Sequence, residues 1–160
     1  MKRFIPVFAL FAGCLCLLSA EAFASHYLLE DLPFVTAEER TALEARGILA
    51  SEELLERVAT PAGRAKLSRE TGIDKARMLA LADKVDLLQV RGIGPSMVRL
   101  LQLAGVPHGS ALAAMKADAL HAAVVEANSR EHVSPKIPSI EMLADWVRQA
   151  RGAPVKIRRP

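Results

Sequence analysis

The chain reads as an all-α protein, a compact multi-helix domain, on three observations. Alanine, leucine, glutamate, arginine and lysine dominate it, and these residues lose little on entering a helix. Aromatics make up only 4% of the chain and β-branched residues are sparse through its middle, so strands lack their usual material. Capping and breaking residues also recur at short intervals along an apolar pattern of helical period.

Residues 1–24 read as a signal peptide rather than as part of the fold. Lys2 and Arg3 precede an apolar run from Phe4 to Leu18, and Ala22-Phe23-Ala24 is a small-x-small cleavage site before Ser25. Retention as a membrane anchor is the alternative, although the run is shorter than the roughly 20 apolar residues a span needs. Export implies a periplasmic or secreted protein, with no membrane contact once the signal is cleaved.

The helical domain is expected over 25–152. Thr36 and Glu39 form a capping box that opens a helix stopped by Gly47. Ser51 starts a second helix with Leu54, Leu55 and Val58 on one face. Thr60-Pro61 begins a third, which ends at Gly72, and Asp74 caps a fourth with Met78, Leu79 and Ala82 inward. Asp86 then opens a short helix, and Pro95 opens another that ends at Gly105. Short helices follow at 110–115 and 118–127. A loop containing Pro135 and Pro138 leads to a last helix, capped by Ser139 and carrying Ile140, Leu143, Trp146 and Val147. Residues 153–160 read as a free basic tail.

Residues 86–105 carry the most specific motif, a helix-hairpin-helix. Gly92-Ile93-Gly94 supplies the turn, Pro95 sits at the first helical position, and Leu87, Val90, Ile93, Val98 and Leu101 seal the two helices. Both glycines are expected to be intolerant of β-branched residues. In a functional reading Arg91, Gly92, Ile93, Gly94, Ser96 and Arg99, with Lys84 near by, form a phosphate-binding hairpin built on amides at a helix start. In a structural reading the hairpin only joins two halves of a core. Ser96 stands where nucleic-acid-binding hairpins often carry a cation, which favours the structural reading.

Composition narrows the chemistry. Both cysteines, Cys14 and Cys16, lie in the signal, so the mature chain has no thiol, disulfide or cysteine-based zinc site. His26, His108, His121 and His132 lack metal-ligand spacing. No nucleophile elbow or phosphate loop is present, and Glu38-Glu39 and Glu52-Glu53 fall where first-turn acids favour the helix dipole. No metal, no cofactor and no enzymatic activity are expected. Without Lys2, Arg3 and Glu21, 19 basic side chains face 17 acidic ones, and three of the basic groups sit in the last five residues. A body built to grip nucleic acid concentrates positive charge more than this.

A weak internal repeat pairs Leu43 through Gly47-Ile48 with Leu101 through Gly105-Val106, and Met78-Leu79 with Met142-Leu143. It suggests two related helical units with the hairpin at their junction. From Leu43 to Arg151 the order of signals resembles the bacterial domain-of-unknown-function family numbered 4332. The matching pieces are Leu67-Ser68 with Thr71-Gly72-Ile73, Asp86-Leu87 with Arg91 to Pro95, Leu101 through Gly105-Val106, Leu120 with Asn128, and Pro138-Ser139 with Trp146. The resemblance implies an all-helical fold related to helix-hairpin-helix domains, and it transfers no catalytic residue. Two functions remain: a non-enzymatic binding or scaffolding module that meets an envelope protein, or an exported nucleic-acid binder contacting phosphates without sequence specificity. A positive face around Arg91 and Arg99 would favour the second, and an exposed apolar groove the first.

Export is directly testable. A reporter active only outside the cytoplasm, fused behind the leader, is expected to be active, with mature protein starting near Ser25. Deleting Lys2 and Arg3 should slow the process. Full-length chain soluble in the cytoplasm would contradict it.

Overall fold

Short helices, each started by its own cap, set the architecture. A computed structural model describes residues 26–159; the expected signal peptide lies outside them. A 3₁₀ turn at Leu29–Asp31 leads to α1 (Ala37–Glu44), α2 (Ser51–Val58), α3 (Pro61–Thr71), α4 (Lys75–Leu87), α5 (Pro95–Leu103), α6 (Gly109–Ala114), α7 (Ala117–Glu131) and α8 (Ile140–Gly152). The described residues contain no strand beyond an isolated bridge between Leu28 and Ala50. The Thr36–Glu39 capping box, the Thr60, Asp74 and Ser139 caps and the Pro61 and Pro95 starts all form as expected.

Three expectations are corrected. No helix begins at Asp86, because α4 runs unbroken through it. The carboxylate that looked like a cap accepts instead from the Gly109 amide of α6 at 2.9 Å. Ile140 is 41% exposed, since it occupies the first position of α8, before that helix reaches the core. The C-terminal residues are not free. Ile157 is buried, the Arg158 amide donates to Ala59 O at 2.8 Å, and Arg159 pairs with Asp83. Arg64, buried within α3, fastens this return by donating to Val58 O (2.7 Å) and to Arg158 O (2.8 Å). Satisfying two carbonyls is what makes a buried guanidinium tolerable there.

The repeat extends through the whole fold. Before α1, the amides of Asp31, Leu32 and Val35 donate to the carbonyls of Leu28, Leu29 and Leu32. Before α5, those of Gln89, Val90 and Ile93 donate in the same pattern to Asp86, Leu87 and Val90. Both α1 and α5 end in the same motif, with Ile48 N on Leu43 O and Val106 N on Leu101 O, and with Gly47 and Gly105 at positive φ. After α3 and α7, Gly72 and His132 are left-handed, and Ser68 and Asn128 tie down the chain beyond them. Contacts recur too: α1 meets α3, α2 meets α4 and α3 meets α4, as α5 meets α7, α6 meets α8 and α7 meets α8. The register of the last helices is set by their caps, Asp74 and Ser139. Buried Met78, Leu81 and Ala82 therefore correspond to buried Leu143, Trp146 and Val147. The Met78–Met142 match is one residue off, and Met142 is largely exposed.

The described residues thus form two four-helix units in tandem, each led by a matching turn, around one continuous core. In the second turn the strained backbone is at Gly92 (φ +94°). Gly94, with φ −95°, is an ordinary extended cap, which corrects the expectation of strain there. A Cβ at Gly92 would also sit 2.9 Å from Trp146 Nε1, whereas one at Gly94 would meet only the Tyr27 hydroxyl at 3.3 Å. Gly92→Val should therefore cost about 1–3 kcal/mol of stability, from strain and clash together. Gly94→Ala should cost less than about 1 kcal/mol. Denaturant titration of both variants checks the ordering; equal losses would contradict it.

Candidate functional site

Two clefts flank the turn before α5; Ser96 and Arg99 line one of them, and none of the predicted site residues lines the other. Arg91 lies on the α8 side. Gln149 of α8 accepts from its amide (2.9 Å) and donates to its carbonyl (3.3 Å), and is itself held by Asp145. Gly92 rests on Trp146, whose indole is buried. Ile93 is fully buried and its amide is taken by Val90 O, so it offers nothing to a ligand.

Ser96 and Arg99 are exposed on the opposite side. They line a cleft of about 370 Å³ with Pro33, Phe34, Lys84 and Gln102. Lys84 donates to Gln102 Oε1 (2.8 Å) and stands 5.6 Å from the Phe34 ring centre. Burial, reinforced by Arg77, pulls its pKa below the ordinary lysine value. Gly94 caps α5 without a side chain, and the amides of Gly92, Gly94 and Ser96 have no partner among the described residues. In the first unit the equivalent helix start is closed by its own acid. Glu39 completes the cap of α1 and also accepts from Arg77 Nε at 2.6 Å. That bond to Arg77 holds the Glu39 carboxyl below the usual carboxylate range. The structure therefore brings Ser96, Arg99 and Lys84 together and leaves Arg91 apart.

The larger cleft, about 620 Å³, lies between α6, α8 and the C-terminal segment, a place sequence reasoning did not single out. Val90, Ala113, Ala150, Ala153, Pro154 and Val155 make it predominantly apolar. Arg151 and Lys156 stand at its edge, bonded only to neutral groups: Arg151 to Ala113 O and Met115 O, Lys156 to Gln89 Oε1. The sequence signal for it was slight, because Val155 stands in a short segment that reads as a basic tail.

A family model described as Domain of unknown function (DUF4332) matches residues 33–153. The chain belongs to this family. The DUF4332 match spans both four-helix units, and the return segment of Val155 to Arg159 lies beyond it. No curated protein and no solved structure matches the chain. The four histidines are dispersed: His26 faces Glu52, and His108 caps α6 by accepting from Ala111 N at 3.1 Å. Burial lowers the His108 pKa, which keeps the ring in the neutral form that can accept. Among the described residues no three acidic, histidine or cysteine side chains gather as a metal set.

Asp86, on the floor of the apolar cleft, supplies a pH signature. Burial holds its carboxyl above the ordinary range, outweighing the Gly109 amide and His108, which pull it down. The native state then keeps a proton that the unfolded chain has lost. Its contribution is complete below the unfolded value of about 3.9 and is lost as pH rises through the folded value. Glu39 acts oppositely, its contribution fading as pH falls through its lowered value. Denaturation midpoints against pH should show a decline above the carboxylate range that Asp86→Asn removes, with the acid-side loss retained. A variant profile parallel to the wild type would contradict this.

Proposed function

We propose that this chain is an exported, non-enzymatic helical interaction module, a scaffold whose apolar cleft receives a segment of another polypeptide in the cell envelope. The observation that carries the reading is the cleft itself. It is an exposed, largely apolar concavity with two cations beside it, Arg151 and Lys156, that no carboxylate pairs among the described residues. Exposed apolar concavities rimmed by polar groups are where soluble proteins meet partners. Lys2, Arg3, the apolar run and Ala22-Phe23-Ala24 support the envelope as the compartment. The two leading turns are read as helix-hairpin-helix elements used structurally, each joining its unit's helices.

A second reading, contact with a nucleic-acid backbone, is favoured by the unpartnered amides of Gly92, Gly94 and Ser96 beside Arg99 and Lys84. Two observations weigh against it. Arg91 and Arg99 line no common cleft, and Gln149 occupies the Arg91 amide.

A photo-crosslinking residue placed at Val155 in cells should trap a polypeptide, and the adduct should survive nuclease. Duplex DNA should bind weakly at physiological salt. The interaction reading fails if DNA binds tightly, with a steep salt dependence that Arg91→Ala with Arg99→Ala makes shallower.

A further inference from the structure

We infer, building on the interaction reading above, that the segment received by the apolar cleft is the leading edge of a second copy of this chain, so that copies associate head to tail. The inference starts from what each unit does at its end. At the end of the first unit, α4 runs directly into the next hairpin, and Leu87, Leu88 and Val90 are buried there. At the corresponding end of the second unit the described residues after α8 form no further turn and helix. The chain instead turns away through Ala153 and Pro154 towards Ala59, leaving the cleft open and Val155 71% exposed. Tandem-repeat folds bury a face of each unit against its neighbour and need polar caps at their ends. This end is apolar.

The segment that leads the first unit is the matching half. Leu28 and Leu49 are 50% and 54% exposed and are held side by side, because Leu28 bridges Ala50 and Leu29 N donates to Leu49 O at 2.9 Å. Around them stand Glu30, Asp31, Glu52 and Glu53. Glu52 pairs with His26, and Glu53 is spent on the Leu49 and Ala50 amides, while Glu30 and Asp31 have no cationic partner among the described residues. The cleft's Arg151 and Lys156, and Arg91 beside it, likewise have no carboxylate partner. An apolar pair flanked by two unpaired acids, Glu30 and Asp31, thus complements an apolar cleft flanked by bases that have no carboxylate partner among the described residues. The two faces differ, so pairing them uses one face of each copy and leaves the others free. Such a heterologous contact propagates instead of closing.

Sedimentation velocity on protein purified from cells expressing the full chain tests this. Over roughly a hundredfold range of concentration at low salt, the mean sedimentation coefficient should keep rising without a plateau at dimer. Salt near 1 M, where the Debye length is about 3 Å, should reduce the rise. Leu28→Asp and Val155→Asp change exposed positions, one on each of the two surfaces, and each alone should weaken association at least about tenfold while leaving the melting temperature unchanged. Mixed together they retain one intact interface and should form dimers and nothing larger. Asp31→Lys and Lys156→Glu provide a charge-based version: each should weaken association alone, and the two combined in one chain should regain it in part. A wild type that stays monomeric, or a mixture of the two face variants that stays monomeric, overturns head-to-tail pairing. If a monomeric wild type still crosslinks a different polypeptide through Val155, only the self-association falls. If it crosslinks nothing, the interaction reading falls with it.

Discussion

Each unit is closed by its fourth helix gripping the turn of its own hairpin, and the rest of the fold depends on that grip. In the first unit Arg77 of α4 donates to Phe34 O and to Glu39, and Lys84, two turns on, covers the Phe34 ring. In the second, Trp146 and Gln149 of α8 lie over Gly92 and Arg91; Gln149 is in register with Lys84, whereas Trp146 is in register with Leu81 and takes over the part that Arg77 plays. The chemistry differs while the role is kept. A guanidinium and an ammonium hold an aromatic turn residue; an indole and an amide hold a glycine turn. Long-range contacts of this kind fix where α1 and α5 start, so the short helices between need little stability of their own.

That grip also decides what the hairpin can do. Its most buried member, Ile93, supports the core, and the Arg91 peptide is held on both sides by Gln149. Of the predicted site residues, only Ser96 and Arg99 line an open cleft, beside Lys84, and the amides of Gly92, Gly94 and Ser96 have no partner among the described residues. Unsatisfied apolar surface concentrates at two places, Leu28 with Leu49, and Val155 with the neighbouring cleft.

The legible part of the sequence was local. A cap speaks to amides two or three residues away, so Thr36, Thr60, Asp74 and Ser139, and the prolines at 61 and 95, announced their helices correctly. Family membership was legible for the same reason, because the ordered punctuation of the chain is its most specific content. What could not be read was settled at a distance. Asp86 resembled a cap because an acid often serves as one; its real partner, Gly109, lies beyond α5. Arg64 carries no local signal of its burial, because its partner carbonyl at Arg158 lies 94 residues along the chain. Ile157, alone among basic residues, gave no periodicity from which burial could be argued. The apolar cleft was hidden because its walls come from three separated segments of small residues.

The central claim is that one hairpin-led unit occurs twice, each copy with its turn held internally. Amide hydrogen exchange measures this most directly. The Val35 and Ile93 amides, bonded across their turns, and the Ile48 and Val106 amides, bonded back to α1 and α5, should be protected to matching degrees in the two units. The Gly92, Gly94 and Ser96 amides should exchange as freely as those of an open loop. Fast exchange at Ile93 and Val106, with protection confined to Val35 and Ile48, would contradict the claim.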